Sequence, residues 1–379
     1  MKIAYIANSR FPSEKAQSDQ VMAVCSAFAD LGHEVKLFVP NRRPVKAEDP
    51  FAYYHKPKTF EFERVSCIDA VRFVWLGPIG QWIQTLSFVS TLRLWLAEWK
   101  PDVVYSREPF LFLFGRFLGM NVWEEHRVHH SFFARRAMRS MDAIVALTQA
   151  AKKQLVQYGM KENQILVEPD AVDPSLFANM PDRASARTTL GISDQEHLAL
   201  YTGKFLTMGM SKGLDIATQA VRSLRSKGVP LRLLAVGGTP EELSKHAGMA
   251  GEGIEFRGHV PQSDLKMFYA AADMLLMPFP YTEHYAFYMS PLKLFEYLIS
   301  GVPMIVTDLP SVREIVDEHT SFIATPGDAL SLEEQMMTCI QHPEEAKQKA
   351  EAARDLSKKY IWEARTRRIA AWIEAFRAY

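Results

Sequence analysis

The chain has 379 residues, 48% of them hydrophobic, and 44 Lys and Arg residues balance 44 Asp and Glu residues. This length suggests two domains, and the balanced charge predicts no polyanionic partner such as nucleic acid. The three cysteines, Cys25, Cys67 and Cys339, are scattered without a CxxC pair. Their spacing favours a reducing compartment and argues against a zinc site.

Predicted strands and helices alternate through the first half. Residues 2–7 (KIAYIA) are predicted to form a first strand and not a signal peptide. Ser18 is predicted to cap the helix that follows, and Gly32 to end it. This alternation predicts parallel sheets with right-handed crossovers, and ligands beyond the carboxyl ends of the strands. Further strands are predicted at HEVKLFVP (33–40), VRFVW (71–75), DVVYS (102–106), NVWEE (121–125) and AIVAL (143–147).

Residues 73–92 carry no charged side chain. A membrane-spanning helix needs roughly 20 strongly apolar residues, and Gly77, Pro78, Gly80 and several polar residues interrupt this run, so we reject a spanning helix. A helix over about 80–99 is predicted, either packed in the core or lying at an interface or facing an acceptor.

Basic residues are frequent in the first half, where Arg135, Arg136 and Arg139 follow Phe132 and Phe133. They form either a solvated face or a surface for anionic lipid or a lipid-diphosphate-linked sugar. We therefore expect a cytoplasmic protein, with peripheral contact at the inner face of the membrane as the sharper alternative. The other basic residues of this half are Arg42, Arg43, Lys46, Lys56 and Lys58.

The second half begins a new alternating series at LALYTG (198–203). Gly203 permits a tight turn, and Lys204 and Lys212 flank a loop before a helix predicted over 214–227. A strand, a glycine and basic groups before a helix suit a diphosphate, although two surface lysines would give the same pattern. The spacing of a Walker P-loop is absent. Further strands are predicted at LRLLAVGG (231–238), IEFRGHVP (254–261) and MLLMPF (274–279).

The stretch SPLKLFEYLISGVPMIV (290–306) is the most informative part of the chain. Ser290 is predicted to cap a helix with Pro291 at its first position and Gly301 after its end. Taken alone, Glu296 is best interpreted as a solvated acid paired with Lys293. A helix N-terminus, however, binds anions, and a carboxylate one and a half turns further can accept two hydrogen bonds from a vicinal diol. Together these features fit a nucleoside diphosphate.

This stretch, the loop after Gly203 and the sequence EEH at 124–126 resemble glycosyltransferase family 4, whose members are retaining enzymes of the GT-B fold. The resemblance implies two doubly wound, Rossmann-like α/β domains facing across a cleft. Residues 1–180 would form the acceptor side and 190–361 the donor domain, with a last helix over about 362–379 packing back on the first. It also implies no metal and no cofactor, with a UDP- or GDP-linked sugar as the donor substrate.

The same resemblance assigns roles to individual residues. Glu296 would hold the ribose hydroxyls, and His126 would contact the donor sugar. Lys204 and Lys212 would take up charge on the leaving diphosphate. Further donor contacts are implied at Gly203, Gly258, His259, Val260, Ser290, Pro291, Leu292 and Lys293, with a donor or acceptor loop at Gln17 and Ser18.

Three positions depart from the family pattern. Tyr288 stands where many members have a first glutamate, residues 16–20 (AQSDQ) replace a Gly-Gly pair, and Lys204 replaces an arginine. We predict transfer of a sugar to an acceptor hydroxyl, in cell-surface polysaccharide, lipid-linked glycan or glycolipid synthesis. The alternatives are a GT-B nucleotide-sugar epimerase and a non-catalytic subunit that binds a nucleotide sugar.

Overall fold

The computed structural model divides the chain into two compact units. One unit contains Met1–Pro169 and Trp362–Tyr379, and the other contains Asp170–Ile361. His126 and Lys46 lie outside the residues that the structure describes. The described residues are 1–13, 16–43, 49–125, 131–207 and 209–377.

The first unit is built on a parallel sheet, which has seven strands within the described ranges. From one edge to the other, the strand order is β3-β2-β1-β4-β5-β6-β7. The inner strands are almost entirely buried, as expected for a parallel sheet covered on both faces. The strands are β1 (Lys2–Ile6), β2 (Glu34–Pro40), β3 (Glu61–Val65), β4 (Val103–Ser106), β5 (Met120–Glu124), β6 (Ala143–Ala146) and β7 (Ile165–Val167).

The structure corrects two sequence-based expectations for the first unit. The first helix begins at Ala16, so Ser18 lies in its first turn and does not cap it; its hydroxyl oxygen is 2.7 Å from that of Ser13. The predicted strand at 71–75 instead forms two short 3₁₀ turns, because β3 already occupies the edge beside β2. The helices are α1 (Ala16–Asp30), α2 (Pro50–Tyr53), α3 (Gly77–Trp99), α4 (Phe132–Met138), α5 (Gln149–Gln157) and, at the end of the chain, α15 (Trp362–Arg377).

The second unit has a parallel sheet with six strands among the described residues, in the order β12-β11-β8-β13-β14-β15. Leu275 and Leu276 are neighbours in β13 but belong to different hydrophobic clusters, so both faces of this sheet are covered. A short antiparallel hairpin, β9 and β10, follows β8. The strands are β8 (His197–Thr202), β9 (Leu206–Thr207), β10 (Met210–Ser211), β11 (Leu231–Gly238), β12 (Ile254–Gly258), β13 (Met274–Met277), β14 (Met304–Thr307) and β15 (Phe322–Ala324).

Nine helices of the second unit fall within the described residues. We find no helix, α3 included, that is long and apolar enough to cross a bilayer in the ranges given above. The helices are α6 (Arg183–Leu190), α7 (Leu214–Ser226), α8 (Pro240–His246), α9 (Gln262–Ala271), α10 (Glu283–Phe287), α11 (Leu292–Ser300), α12 (Pro310–Arg313), α13 (Ala329–Gln341) and α14 (Pro343–Ser357).

The chain passes from the first unit to the second after Pro169, whereas the sequence places the change between residues 180 and 190. The difference arises because the segment after Pro169 already pairs with the second unit. The N–H of Val172 donates to the carbonyl of Tyr360, and Val172 forms a parallel bridge with Ile361. Helix α15 belongs to the first unit, where Arg365 is fully buried.

Candidate active site

Two glycines bring the carboxyl ends of β8 and β11 together. Gly203 follows β8 with a φ of 95°, and Gly237 in β11 has a φ of 116°. A Cβ atom on Gly237 would lie only 2.8 Å from the Cα of Gly203. The tight turn predicted at Gly203 is therefore present, and side chains at either position would push the two strand ends apart.

The loop between Gly203 and α7 is held at several points. The hydroxyl of Tyr201 donates to the carbonyl of Lys204 at 2.8 Å. The carboxylate of Glu242 accepts from the N–H of Leu206 at 2.9 Å. At the other end, Gly213 has a φ of 82°, and a Cβ there would lie 1.7 Å from the carbonyl oxygen of Pro278. The backbone on both sides of the loop is thus fixed by the second unit.

The two lysines of this loop differ in their environment. Lys204 is exposed, whereas Lys212 is half-buried, with its Nζ 6.0 Å from the ring centroid of Phe279. Burial lowers the pKa of Lys212 to about 8; Glu242 opposes this shift and the charge of Lys204 adds to it. Cationic groups from both ends of the loop therefore act on the same region beyond β8.

Helix α11 begins one residue later than the sequence predicts. Pro291 remains extended and occupies the N-cap position, so the helix starts at Leu292. The hydroxyl of Ser290 does not cap the helix, because it accepts the N–H of Asp170 at 2.8 Å. Pro291 provides no side-chain hydrogen bond to cap the start of α11. The first N–H groups of a helix can bind anions when no side chain caps them.

Lys293, the second residue of α11, is not on a solvated face. Its side chain is buried, and among the described residues its Nζ has no hydrogen-bond partner. The Nζ lies 3.4 Å from the ring centroid of Tyr201 and 5.3 Å from that of Phe279. The alternative interpretation of Lys293 and Glu296 as a solvated surface pair is not supported, because the side chain of Lys293 turns inward to these two rings.

Glu296 lies on α11, and its carboxylate is half-buried. One oxygen accepts a hydrogen bond from the hydroxyl of Tyr269 at 2.9 Å. That hydroxyl is also 3.1 Å from the hydroxyl of Thr202, the last residue of β8. Burial, together with the charge of Glu296, raises the pKa of Tyr269 well above its usual value, so Tyr269 remains a donor.

Glu296 also lines a pocket of the second unit. The other lining residues are Leu176, Phe177, Gln262, Leu265, Lys266 and Tyr269.

The remaining predicted residues fall into three groups. Gly258 ends β12 beside Gly238, followed by exposed His259 and half-buried Val260. In the first unit, Gln17 donates to Glu108 at 3.1 Å, and Ser18 is buried. His126 lies outside the described residues. Within those residues, no cluster of three or more His, Cys, Asp or Glu side chains is placed to hold a metal ion.

Sequence reasoning missed Tyr269 and Glu242. Glu242 could have been found, because Thr239 and Glu242 form a capping box that is visible as the pattern T-x-x-E. Tyr269 carries no local signal, since its role depends on contacts with Thr202 and Glu296 from distant parts of the chain.

Two family models match most of the chain. The model described as "Glycosyltransferase Family 4" matches residues 18–176, and that described as "Glycosyl transferases group 1" matches residues 196–342. The chain belongs to glycosyltransferase family 4. The family predicted from the three sequence stretches is therefore confirmed.

Curated relatives of this chain are also glycosyltransferases. A sulfoquinovosyl transferase of Arabidopsis thaliana is 22% identical over 72% of this chain and 56% of its own length. A D-inositol 3-phosphate glycosyltransferase of Nocardia farcinica is 29% identical over 49% of this chain and 42% of its own. The chain thus spans about half the length of these curated relatives.

The structure of the Anabaena protein HepE in complex with UDP-glucose superposes with a TM-score of 0.74. The match covers 99% of this chain and 100% of HepE, at 16% sequence identity. At this identity the match shows the fold, and the predicted GT-B class of two doubly wound α/β domains is confirmed.

Proposed function

We propose that this family 4 member transfers a sugar from a nucleoside-diphosphate sugar to an acceptor hydroxyl, with retention of configuration and without a metal ion. The observation that carries the proposal is that Lys204 and Lys212 act on each other in the loop after β8, and that the side chain of Lys293, at the start of α11, reaches the turn at Gly203. Open α/β sheets bind their ligands at this edge. HepE was solved with UDP-glucose, which supports a nucleotide sugar as the donor; retention and metal independence rest on the family resemblance.

In the proposed reaction, the bond between the anomeric carbon and the diphosphate oxygen breaks, and a glycosidic bond to the acceptor oxygen forms. The acceptor proton leaves with the diphosphate or to water. Negative charge grows on the leaving oxygen, so preorganised cations at that point lower the barrier. Lys204 and Lys212 supply these cations, and the N-terminal N–H groups of α11 add to their effect.

Glu296 would anchor the donor by its ribose. A carboxylate can accept hydrogen bonds from both hydroxyls of a vicinal diol. Tyr269 fixes one carboxylate oxygen, which restricts the rotation of the group before the donor arrives.

Slow donor hydrolysis without acceptor tests this proposal. We would measure sugar release from a panel of UDP-, GDP- and ADP-sugars, with Glu296→Ala as the site-deficient control. Hydrolysis of one donor, lost in the control, supports the transferase and names base and sugar together. No hydrolysis with saturable nucleotide binding would instead favour either strict acceptor dependence or the non-catalytic subunit, and a change at C2 of the sugar would favour the epimerase.

We expect Glu296→Gln to weaken nucleotide binding without unfolding the protein. Hydrogen bonds to a charged group contribute about 1.5–3 kcal/mol, so the Kd for UDP or GDP should rise about 10–100-fold by calorimetry. Glu351→Gln, which removes an exposed acid of α14, should leave Kd unchanged. A collapse of Tm with an unchanged Kd would show that Glu296 serves the fold and not the ligand.

Exposed aromatic and basic residues of the first unit support a lipid-linked acceptor. Val74 and Trp75, in the turn before α3, are 88% and 81% exposed. Phe132 and Phe133 are exposed on α4, next to exposed Arg136. Residues 71–97 and 131–141 contain arginines but no acid. Exposed aromatic groups with arginines beside them in the sequence fit an anionic bilayer surface, and we propose that these residues contact one.

Removing Arg135 and Arg136 should weaken binding to anionic vesicles. Each arginine near such a surface contributes about 1 kcal/mol, so the double glutamine variant should bind roughly 30-fold less tightly. Co-sedimentation with vesicles containing phosphatidylserine would measure this. Replacing the exposed Lys347 and Lys359 by glutamine removes the same charge from the second unit and should change nothing. Equal losses in both variants, or no binding by the wild type, would exclude this contact while leaving the transferase proposal intact.

A further inference from the structure

Lys293 is a buried cation of the candidate site whose role the proposed reaction has not used. Its side chain is 8% exposed, although a lysine is almost never buried without a partner. The Nζ lies over the face of the Tyr201 ring, and no hydrogen-bond acceptor reaches it among the described residues. A Cβ on Gly203 would lie 3.7 Å from this Nζ. The amine is therefore directed at the turn beyond β8.

The surroundings of this amine disfavour its charged form. An ammonium that leaves water without hydrogen bonds loses solvation, and an aromatic face replaces only part of it. Burial lowers the pKa of Lys293 well below its usual value; the charge of Lys212 lowers it further, and Glu296 opposes the shift.

The titratable and charged groups around this site come from several elements. Near the amine of Lys293, two other lysines contribute positive charge and two carboxylates contribute negative charge. The tyrosine hydroxyls remain neutral because burial raises their pKa values. The groups are Tyr201 of β8, Lys204 and Lys212 of the following loop, Glu242 of α8, Tyr269 of α9, Tyr285 of α10, and Glu296 and Tyr297 of α11.

We propose that Lys293 couples donor binding to proton uptake, being neutral in the empty site and protonated when a nucleoside diphosphate occupies the turn beyond β8. This inference rests on the proposed function, because it requires a diphosphate at that place. A diphosphate brings at least two negative charges and supplies the missing hydrogen-bond acceptors. An opposite charge within about 4–6 Å favours the protonated amine, and the N–H groups of α11 hold the same anion.

The sign of the pH dependence follows from this coupling. The complex binds more protons than the free protein, so affinity is complete below the free-state pKa of the amine and declines as pH rises above it. Each coupled proton weakens binding about tenfold per pH unit in that window. Lys212, with a pKa of about 8, adds a second coupled proton. The number of protons that Lys293 takes up is therefore the difference in proton uptake between the wild type and a variant that lacks its amine.

Calorimetry in buffers of different ionisation enthalpy counts these protons directly. The probe is UDP at pH 8.5, since its phosphates, with a last pKa of about 6, are then fully ionised; GDP and ADP follow if UDP does not bind. We expect the wild type to take up more than one proton, and Lys293→Met about one fewer. Lys347→Met, which removes an exposed lysine of α14, should match the wild type. Uridine, which lacks phosphates, should cause no uptake.

Each outcome decides the proposal. A lower count in Lys293→Met alone supports it; equal counts in the wild type and Lys293→Met overturn it and leave the proposed function standing. If Lys293→Met does not fold, the wild-type count decides, because one proton or fewer is explained by Lys212 alone and overturns the coupling. Failure of all three nucleotides to bind the wild type would overturn the proposed function, and this inference with it.

Discussion

Replacing Lys204 by alanine should lower donor turnover by about 10²–10³-fold, because one preorganised charge on a leaving group contributes about 3–4 kcal/mol to transition-state stabilisation. The side chain is exposed, while its backbone carbonyl is held by Tyr201 independently of the side chain. The fold should therefore be unaffected, since exposed substitutions usually change stability by less than about 0.5 kcal/mol. Steady-state turnover and Tm, measured on the same preparation, would check both parts.

Two further variants test whether turnover depends on a positive charge at position 204 or on the total surface charge. Lys204→Arg keeps the cation and introduces the forked donor that this family usually carries here, so it should retain most of the activity. Lys245→Ala removes an exposed lysine that pairs with Glu241 on α8, and turnover should stay at the wild-type level. Unchanged turnover in Lys204→Ala would show that this residue does not stabilise the leaving diphosphate.

Several of the strands that the sequence predicts correctly share one property. Segments such as VVYS in β4 and MIVT in β14 are short apolar runs that are buried on both faces, and such runs are readable without knowledge of their neighbours. The edge strand β3 has the sequence EFERV and is largely half-exposed. Its charged residues interrupt the apolar pattern by which a strand is recognised, because an edge strand need not be apolar. The run VRFVW has a strand-like composition but no free position in the sheet.

Some parts of the candidate site can likewise be predicted from the sequence, and others cannot. The loop after β8 and the helix carrying Glu296 follow from local patterns and from the rule that ligands bind beyond the carboxyl ends of parallel strands. Helical spacing, by contrast, shows which residues share a face and not what covers that face. Lys293 and Glu296 are three positions apart, a spacing that suggests a surface ion pair. The amine of Lys293 instead lies over the ring of Tyr201, which comes from a distant strand.

The change with the largest expected effect on stability is Arg365→Met, in the helix that returns to the first unit. Arg365 is fully buried and donates from Nη2 to the carboxylate of Glu124 at 3.1 Å, and from Nε to the carbonyl of Pro169 at 2.6 Å. Glu124, at the end of β5, is also fully buried. Removing one partner of a buried ion pair costs about 3–5 kcal/mol. Glu124 keeps the hydroxyl of Tyr105 at 2.7 Å and Arg107, whose Nε lies 3.9 Å away, so we expect a loss at the lower end of this range.

Urea unfolding of four proteins would test this ion pair. Arg367→Met, on the same helix, breaks an exposed pair with Glu363 and should cost less than about 1 kcal/mol. The double variant Glu124→Leu with Arg365→Met also deprives the buried Arg107 of its carboxylate neighbour, so it should recover little of the loss, although replacing an isolated pair by apolar groups is often neutral. If Arg365→Met were no more destabilising than Arg367→Met, the pair would not secure α15. Recovery in the double variant would instead show that the loss comes from the stranded carboxylate, so that the pair fixes where α15 packs more than it stabilises the fold.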